Sequence, residues 1–99
     1  MRITQEYKDT IKSCAQTVFG ENAVVKLFGS RLDDSKLGGD IDLLIESNTK
    51  IDNARMKSLK YVAQLQMKLG DQRFDVIVVD PDTELKNIHF EAQRTGVEL

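Results

Sequence analysis

The sequence predicts an α+β domain in which helices flank a small mixed β-sheet. Helical and strand patterns follow one another in the order α-β-β-α-β-α, with a loop between the first two strands. That loop is short, whereas a long helical segment joins the second strand to the third. A short link favours an antiparallel pair and a helical crossover favours a parallel one, so we expect both kinds of pairing in one sheet.

The composition is that of one ordinary globular domain, and we predict a single domain over residues 1–99. Hydrophobic residues make up 40% of the chain and charged residues 30%, without a repeat or a linker. The formal net charge of −2 argues against a general nucleic-acid binder, which needs a basic surface. No apolar run approaches the roughly 20 residues that span a bilayer, and residues 1–12 lack a signal-like apolar core. We therefore expect a cytoplasmic protein without a membrane partner.

The first helix is predicted from apolar residues that recur at steps of three and four. These residues are Ile3, Tyr7, Ile11, Cys14, Ala15 and Val18. Gly20 is expected to end the helix as its C-cap. Cys14, the single cysteine, is expected to be an ordinary core thiol. The β-branched run over residues 23–28 then predicts the first strand.

The second half of the chain predicts two strands and two helices. Residues 40–45 form the second strand, and Asn48 or Thr49 is expected to cap a helix that ends at Leu69. Its inward residues are predicted to be Met56, Leu59, Val62, Ala63 and Leu69. Residues 73–79 are almost continuously apolar, which predicts a third strand covered on both faces. A last helix is expected to carry Leu85, Ile88 and Ala92 before Gly96.

Two carboxylates, Asp40 and Asp42, stand where the second strand begins. Side chains alternate along a strand, so the two share one face, with Cα atoms about 6.5–7 Å apart. Adjacent carboxylates repel, and a fold tolerates them best with a cation between them. Oxygen-only ligands favour Mg²⁺ over transition metals. The alternative is that this Asp-x-Asp sequence is only solvated turn chemistry at the mouth of a strand.

Asp75 is the only charged residue inside "FDVIVV", the part of the third strand that follows Arg73. Strand interiors rarely hold a lone carboxylate without a partner. If this strand lies beside the second, three carboxylates meet at one end of the sheet. Such a set suits a pair of Mg²⁺ ions about 3.5–4 Å apart, and Asp75 is best placed to accept a hydroxyl proton. The alternative is an ion pair of Asp75 with Arg73 or with a lysine of a helix.

The loop after the first strand has features of a phosphate cradle. Gly29 has no Cβ, so its backbone can approach a ligand closely. Ser30 supplies a hydroxyl and nearby backbone N–H groups. Arg31 and Lys36 can neutralise a triphosphate. Taken alone, the Gly-Ser pair also fits a simple turn.

Together, these residues resemble the DNA polymerase β-type nucleotidyltransferase superfamily, and the length points to its minimal nucleotidyltransferases. The resemblance spans about residues 24–80 and rests on "GSR", "DID" and a later isolated aspartate. It implies a nucleotidyltransferase fold, two Mg²⁺ ions and ATP as substrate. The implied nucleotide-binding residues are Gly29, Ser30, Arg31, Asp40 and Asp42. The implied catalytic and metal-binding residues are Asp40, Asp42 and Asp75.

The resemblance also implies a partner, because minimal nucleotidyltransferases are often encoded beside HEPN proteins. In such pairs this chain would be the antitoxin, transferring AMP from ATP to a tyrosine hydroxyl of an all-helical HEPN toxin. Size supports this expectation, since 99 residues leave no room for an acceptor-binding domain, and a partner or a second copy should cover the site. The open alternatives are a silent antitoxin that only masks its toxin and an enzyme acting on a small hydroxyl compound. The sequence leaves the roles of Lys36 and His89 undecided.

Overall fold

A computed structural model describes residues 3–29 and 40–99 of the chain. In these residues three helices flank a four-stranded sheet. The elements are α1 (Gln5–Phe19), β1 (Val24–Phe28), β2 (Ile41–Glu46), α2 (Ala54–Leu69), β3 (Phe74–Val79), α3 (Asn87–Thr95) and β4 (Val97–Glu98). The predicted α+β class and the predicted order of elements are confirmed, with one strand added at the end.

The sheet is mixed, as the connections predict. Its order is β3-β2-β1-β4, with β1 antiparallel to β2 and β4, and β2 parallel to β3. Helix α2 makes the crossover that a parallel pair requires. Strand β4 was not predicted, because two residues are too short for an alternation pattern to be recognised. Leu99 follows it, is buried, and donates its backbone N–H to Val25 O at 3.0 Å.

One face of the sheet packs against α1 and α2 and forms the larger core. Its buried side chains include Val25, Leu27, Ile41, Leu43, Ile45, Phe74, Ile11, Cys14, Ala15, Tyr61 and Leu65. The prediction of a core position for Cys14 is therefore confirmed. The buried Tyr61 hydroxyl donates a hydrogen bond to Ile11 O at 2.9 Å, which ties α2 to α1.

Helix α2 buries a different face from the one predicted. Tyr61 and Leu65 are fully buried, and Val62 and Leu69 pack partly against the core. Met56, Leu59 and Ala63, which were expected to point inward, are exposed, so the prediction is wrong for these three. The helix also begins at Ala54, after Asn53 in the left-handed region at φ 54°, and not at Asn48 or Thr49.

The other face of the sheet holds a smaller core beneath α3. It consists of Phe28, Leu44, Val79 and Ala92, with Ile77 packed against it. Val76 and Val78 pack against the larger core, but they and Ile77 stay partly exposed, so the prediction that β3 is covered on both faces is confirmed only in part. Beside the smaller core, Lys26 Nζ lies 2.6 Å from Glu46 Oε1, and Gln93 donates to Glu46 Oε2 at 3.2 Å. Within the described ranges, no helix is long and apolar enough to cross a membrane.

Candidate functional site

Asp42 and Asp75 lie directly opposite each other on neighbouring parallel strands. Their side chains are within hydrogen-bonding reach of each other. Asp42 is half-buried and Asp75 is exposed. Burial raises the pKa of Asp42 above its usual value, and the negative charges of Asp75 and then Asp40 raise it further. Asp42 and Asp75 therefore meet at one end of β2 and β3 as predicted, whereas Asp40 acts on Asp42 only through its charge.

Gly29 makes room for the Asp42 carboxylate. It follows Phe28, the residue paired with Asp42 in the antiparallel ladder. A Cβ added at Gly29 would overlap the Asp42 carboxylate and lie 3.0 Å from its Cγ, and the backbone there has φ +78°. Such a conformation is costly for any residue but glycine. The structure therefore gives Gly29 a second role, beside the phosphate contact predicted from sequence.

Asp40 lies just before β2 and faces a cation. Arg73 Nε is 3.5 Å from Asp40 Oδ2, and both side chains are partly exposed. Sequence reasoning offered Arg73 as an alternative partner for Asp75, but the structure pairs it with Asp40. An exposed pair at this distance contributes about 1 kcal/mol or less, so a stronger ligand can separate it.

The donor set at this end of the sheet suits a hard divalent cation. Two carboxylates meet directly, and a third lies close enough to raise the pKa of Asp42. Over residues 3–29 and 40–99, no three acidic, histidine or cysteine side chains already form a metal-binding group. The oxygen donors of Asp42 and Asp75 are of the kind that Mg²⁺ prefers. Asp40 would have to separate from Arg73 before it could join them.

Two predicted nucleotide-binding residues lie outside the described residues. They are Ser30 and Arg31, and Lys36, which was expected to help neutralise a triphosphate, lies outside them too. The predictions for these residues stay predictions. His89, whose role the sequence left open, accepts a hydrogen bond at Nδ1 from the Lys86 N–H at 2.9 Å, at the start of α3.

A groove between α2 and β3 reaches Asp75. It has a volume of about 460 Å³, and its lining includes Leu59, Ala63, Phe74 and Asp75. Sequence reasoning missed this groove because it placed Leu59 and Ala63 in the core. The available signal in the sequence was that α2 has apolar residues at helical spacing on two sides, of which the sheet can cover only one.

No protein-family model and no curated protein matches this chain.

Proposed function

We propose that this protein is a Mg²⁺-dependent nucleotidyltransferase that transfers AMP from ATP to a hydroxyl group of a partner protein. One observation carries the proposal: Asp42 and Asp75 face each other across parallel strands, with Asp40 close by. A carboxyl group whose pKa is raised by burial and by neighbouring carboxylates, as that of Asp42 is, is typical of sites that gain a cation or transfer a proton. The resemblance to minimal nucleotidyltransferases supports the same reaction.

In this proposal Asp42 and Asp75 hold the metal, and Asp40 joins them once it separates from Arg73. Bound Mg²⁺ would offset the carboxylate charges and polarise the phosphate oxygens of ATP. Ser30 and Arg31 are proposed to bind the phosphates, and Gly29 keeps the space that Asp42 requires.

Asp75 is proposed as the general base. The Asp75 side chain is exposed, which lets an acceptor hydroxyl approach it from outside the chain. The hydroxyl proton passes to the Asp75 carboxylate as the acceptor oxygen bonds to the α-phosphorus of ATP. The bond from the α-phosphorus to the bridging oxygen breaks, and pyrophosphate leaves with that electron pair.

The acceptor is proposed to be a tyrosine of a co-encoded, all-helical HEPN toxin, which makes this chain a cytoplasmic antitoxin. The exposure of Asp75 supports an acceptor that comes from another molecule. In the alternative, the chain masks its toxin by binding and transfers nothing.

The experiment incubates the protein with Mg²⁺, ATP and the product of the neighbouring gene, and weighs both proteins by intact mass spectrometry. The expected result is a gain of AMP mass on the neighbour, lost with Asp75→Asn and with Asp42→Asn. Asp71→Asn, which removes another exposed carboxylate just before β3, is the matched control and should leave transfer intact.

Two results would contradict the proposal. The first is that Asp75→Asn protects cells as well as the wild type does, while neither the variant nor the wild type adds AMP mass to the neighbour. This result would establish the masking role. Labelling of a small hydroxyl compound such as an aminoglycoside, with the neighbour left unmodified, would assign a small-molecule acceptor.

A further inference from the structure

The outer face of α2 carries an apolar stripe. Met56, Leu59, Ala63 and Met67 follow one another at steps of three and four, which aligns them along one side of the helix. All four are exposed, Met56 by 58%, Leu59 by 61% and Met67 by 85%. An apolar stripe of this kind on a surface helix usually marks a binding surface. We refer to these four residues as the α2 stripe.

The α2 stripe lies between two grooves. On one side is the α2–β3 groove, which Leu59 and Ala63 help to line. On the other side is a groove of about 420 Å³ between α1 and α2, to which Met67 contributes. Helices pack by fitting the ridges of one into the grooves of the other, so a ridge between two grooves suits the packing of another helix. From Met56 to Met67 the stripe is about 16 Å long, which is about three helical turns.

The charge on α2 is of one sign. Its charged residues are Arg55, Lys57, Lys60 and Lys68, and it contains no acidic residue. The chain as a whole has a formal net charge of −2, so this basic character is local to the helix. A second copy docked through the same face would bring two basic helices together, and like charges at an interface oppose association. The complementary occupant is acidic.

We propose that the α2 stripe and its basic margins dock an acidic amphipathic helix of a partner protein. Apolar side chains of the partner at helical steps of three and four pack on the stripe and into the two grooves. Its acidic residues meet the basic side chains at the margins of α2. The inference deepens the proposed function, because the docked helix would belong to the partner protein that supplies the acceptor. Only that identification rests on the proposed function, since docking itself needs neither ATP nor the carboxylates.

The test uses the full chain and a synthetic peptide of about 20 residues, with leucine at helical steps of three and four and glutamate elsewhere. Nuclear magnetic resonance titration of the ¹⁵N-labelled protein locates the binding surface. Shifts on α2 are expected, and Leu59→Ser with Met67→Ser should weaken binding about tenfold or more. Ile88→Ser is the matched control, because Ile88 is 53% exposed on α3, and it should leave binding unchanged.

Charge reversal provides a second, independent measurement. Lys57→Glu with Lys60→Glu should also weaken binding of the acidic peptide about tenfold, and should create binding to the same peptide with lysine in place of glutamate. Failure of the acidic peptide to bind, or shifts confined to another surface, would overturn the proposal. Stronger binding to anionic phosphatidylserine vesicles, or a dimer in sedimentation that the Leu59 and Met67 substitutions dissociate, would also overturn it.

The docking surface and the transferase function can fail separately. The Asp42→Asn, Asp75→Asn double variant should bind the acidic peptide as the wild type does. Peptide binding on α2 without AMP transfer to any neighbour would contradict only the proposed function. AMP transfer that survives the Leu59 and Met67 substitutions at the wild-type rate, although they abolish peptide binding, would contradict only the identification of the docked helix with the acceptor protein.

Discussion

At Asp42, the proposed chemistry requires a charged carboxylate, whereas the same charge destabilises the metal-free fold. It is half-buried beside Asp75 and within the field of Asp40, and the overlap at Gly29 shows that its carboxylate fills the space next to β1. Charges of one sign gathered in a partly desolvated site destabilise the fold unless a cation offsets them. Substitutions at Asp42 and at Gly29 are therefore expected to act in opposite directions.

Replacing Asp42 with asparagine should stabilise the metal-free protein at neutral pH. Folding raises the pKa of the Asp42 carboxyl above its unfolded value, near 3.8. Below the unfolded pKa the group therefore costs no stability, and the cost grows as the pH rises from there to the raised pKa. In EDTA we expect Asp42→Asn to gain up to about 1 kcal/mol at pH 7 and almost nothing at pH 3, because solvent screens this partly exposed group. Thermal unfolding at the two pH values measures this, and a lower Tm at pH 7 would contradict it.

Gly29→Ala should displace the Asp42 carboxylate. The added Cβ would overlap that carboxylate, and the positive φ adds backbone strain, so we expect a loss of about 1–3 kcal/mol and of Mg²⁺ binding. Gly70→Ala is the matched control, since φ is +89° there but no atom lies within 4 Å of the added Cβ. Calorimetric titration with Mg²⁺ should detect binding to Gly70→Ala and none to Gly29→Ala. Equal Mg²⁺ binding by Gly29→Ala and the wild type would exclude the steric role of Gly29.

At the scale of elements, alternation along β2 correctly predicted which residues face the core and which join the acidic cluster. The helical crossover correctly predicted that β2 and β3 are neighbours, which brings Asp75 to Asp42. Helix α2 was harder, because it has apolar residues on two sides, and periodicity does not say which side the sheet will cover. Tyr61 lies on the covered side because its ring fills the space between helices while its hydroxyl reaches Ile11 O. The Arg73–Asp40 pair also could not be predicted, because it depends on how two strand ends meet.

The contact between α1 and α2 should be sensitive to alkaline pH through Tyr61. Burial raises the pKa of this phenol well above its usual value, so stability is complete below the unfolded pKa of about 10 and falls as the pH rises past it. Tyr61→Phe should lose about 1 kcal/mol at pH 7 with the hydrogen bond, and should unfold less steeply above pH 10. Tyr7→Phe is the control, since the Tyr7 hydroxyl makes a longer, partly buried hydrogen bond of 3.3 Å to Leu69 O. If the free energy of unfolding falls equally steeply above pH 10 in the wild type and in Tyr61→Phe, this role of Tyr61 is excluded.

The contact between α3 and the sheet should depend on Glu46. Its carboxylate pairs with Lys26 and accepts from Gln93, and it is only 25% exposed. Glu46→Ala would leave Lys26 without its partner in a poorly solvated position, so we expect a loss of about 1–2 kcal/mol. Glu91→Ala breaks the exposed Glu91–Arg94 pair of α3 and should cost less than about 0.5 kcal/mol. Urea unfolding measures both, and equal midpoints would contradict the prediction.

For the whole molecule, Mg²⁺ should act as a stabilising ligand of the folded state. At a free concentration of about 100 times its Kd, a ligand that binds only the folded protein adds about 2.7 kcal/mol. We expect Mg²⁺ to raise the Tm of the wild type, EDTA to reverse the gain, and Asp42→Asn to abolish it. Sodium chloride at matched ionic strength is the control for screening. A rise of the same size with sodium chloride would mean that general screening, and not a site, produces the effect.

The position of Asp42 between Ile41 and Leu43 also has a consequence for how the chain tolerates sequence change. The two flanking residues are fully buried under α1 and α2, on the opposite side of the sheet from the carboxylate. Saturation mutagenesis scored by folding alone should therefore find that position 42 accepts polar residues no larger than aspartate, between two neighbours that accept only apolar ones. The carboxylate at such a position can be lost or exchanged in a single substitution while the scaffold persists. Lineages that keep this fold without the proposed reaction would then be expected to diverge first at this one residue.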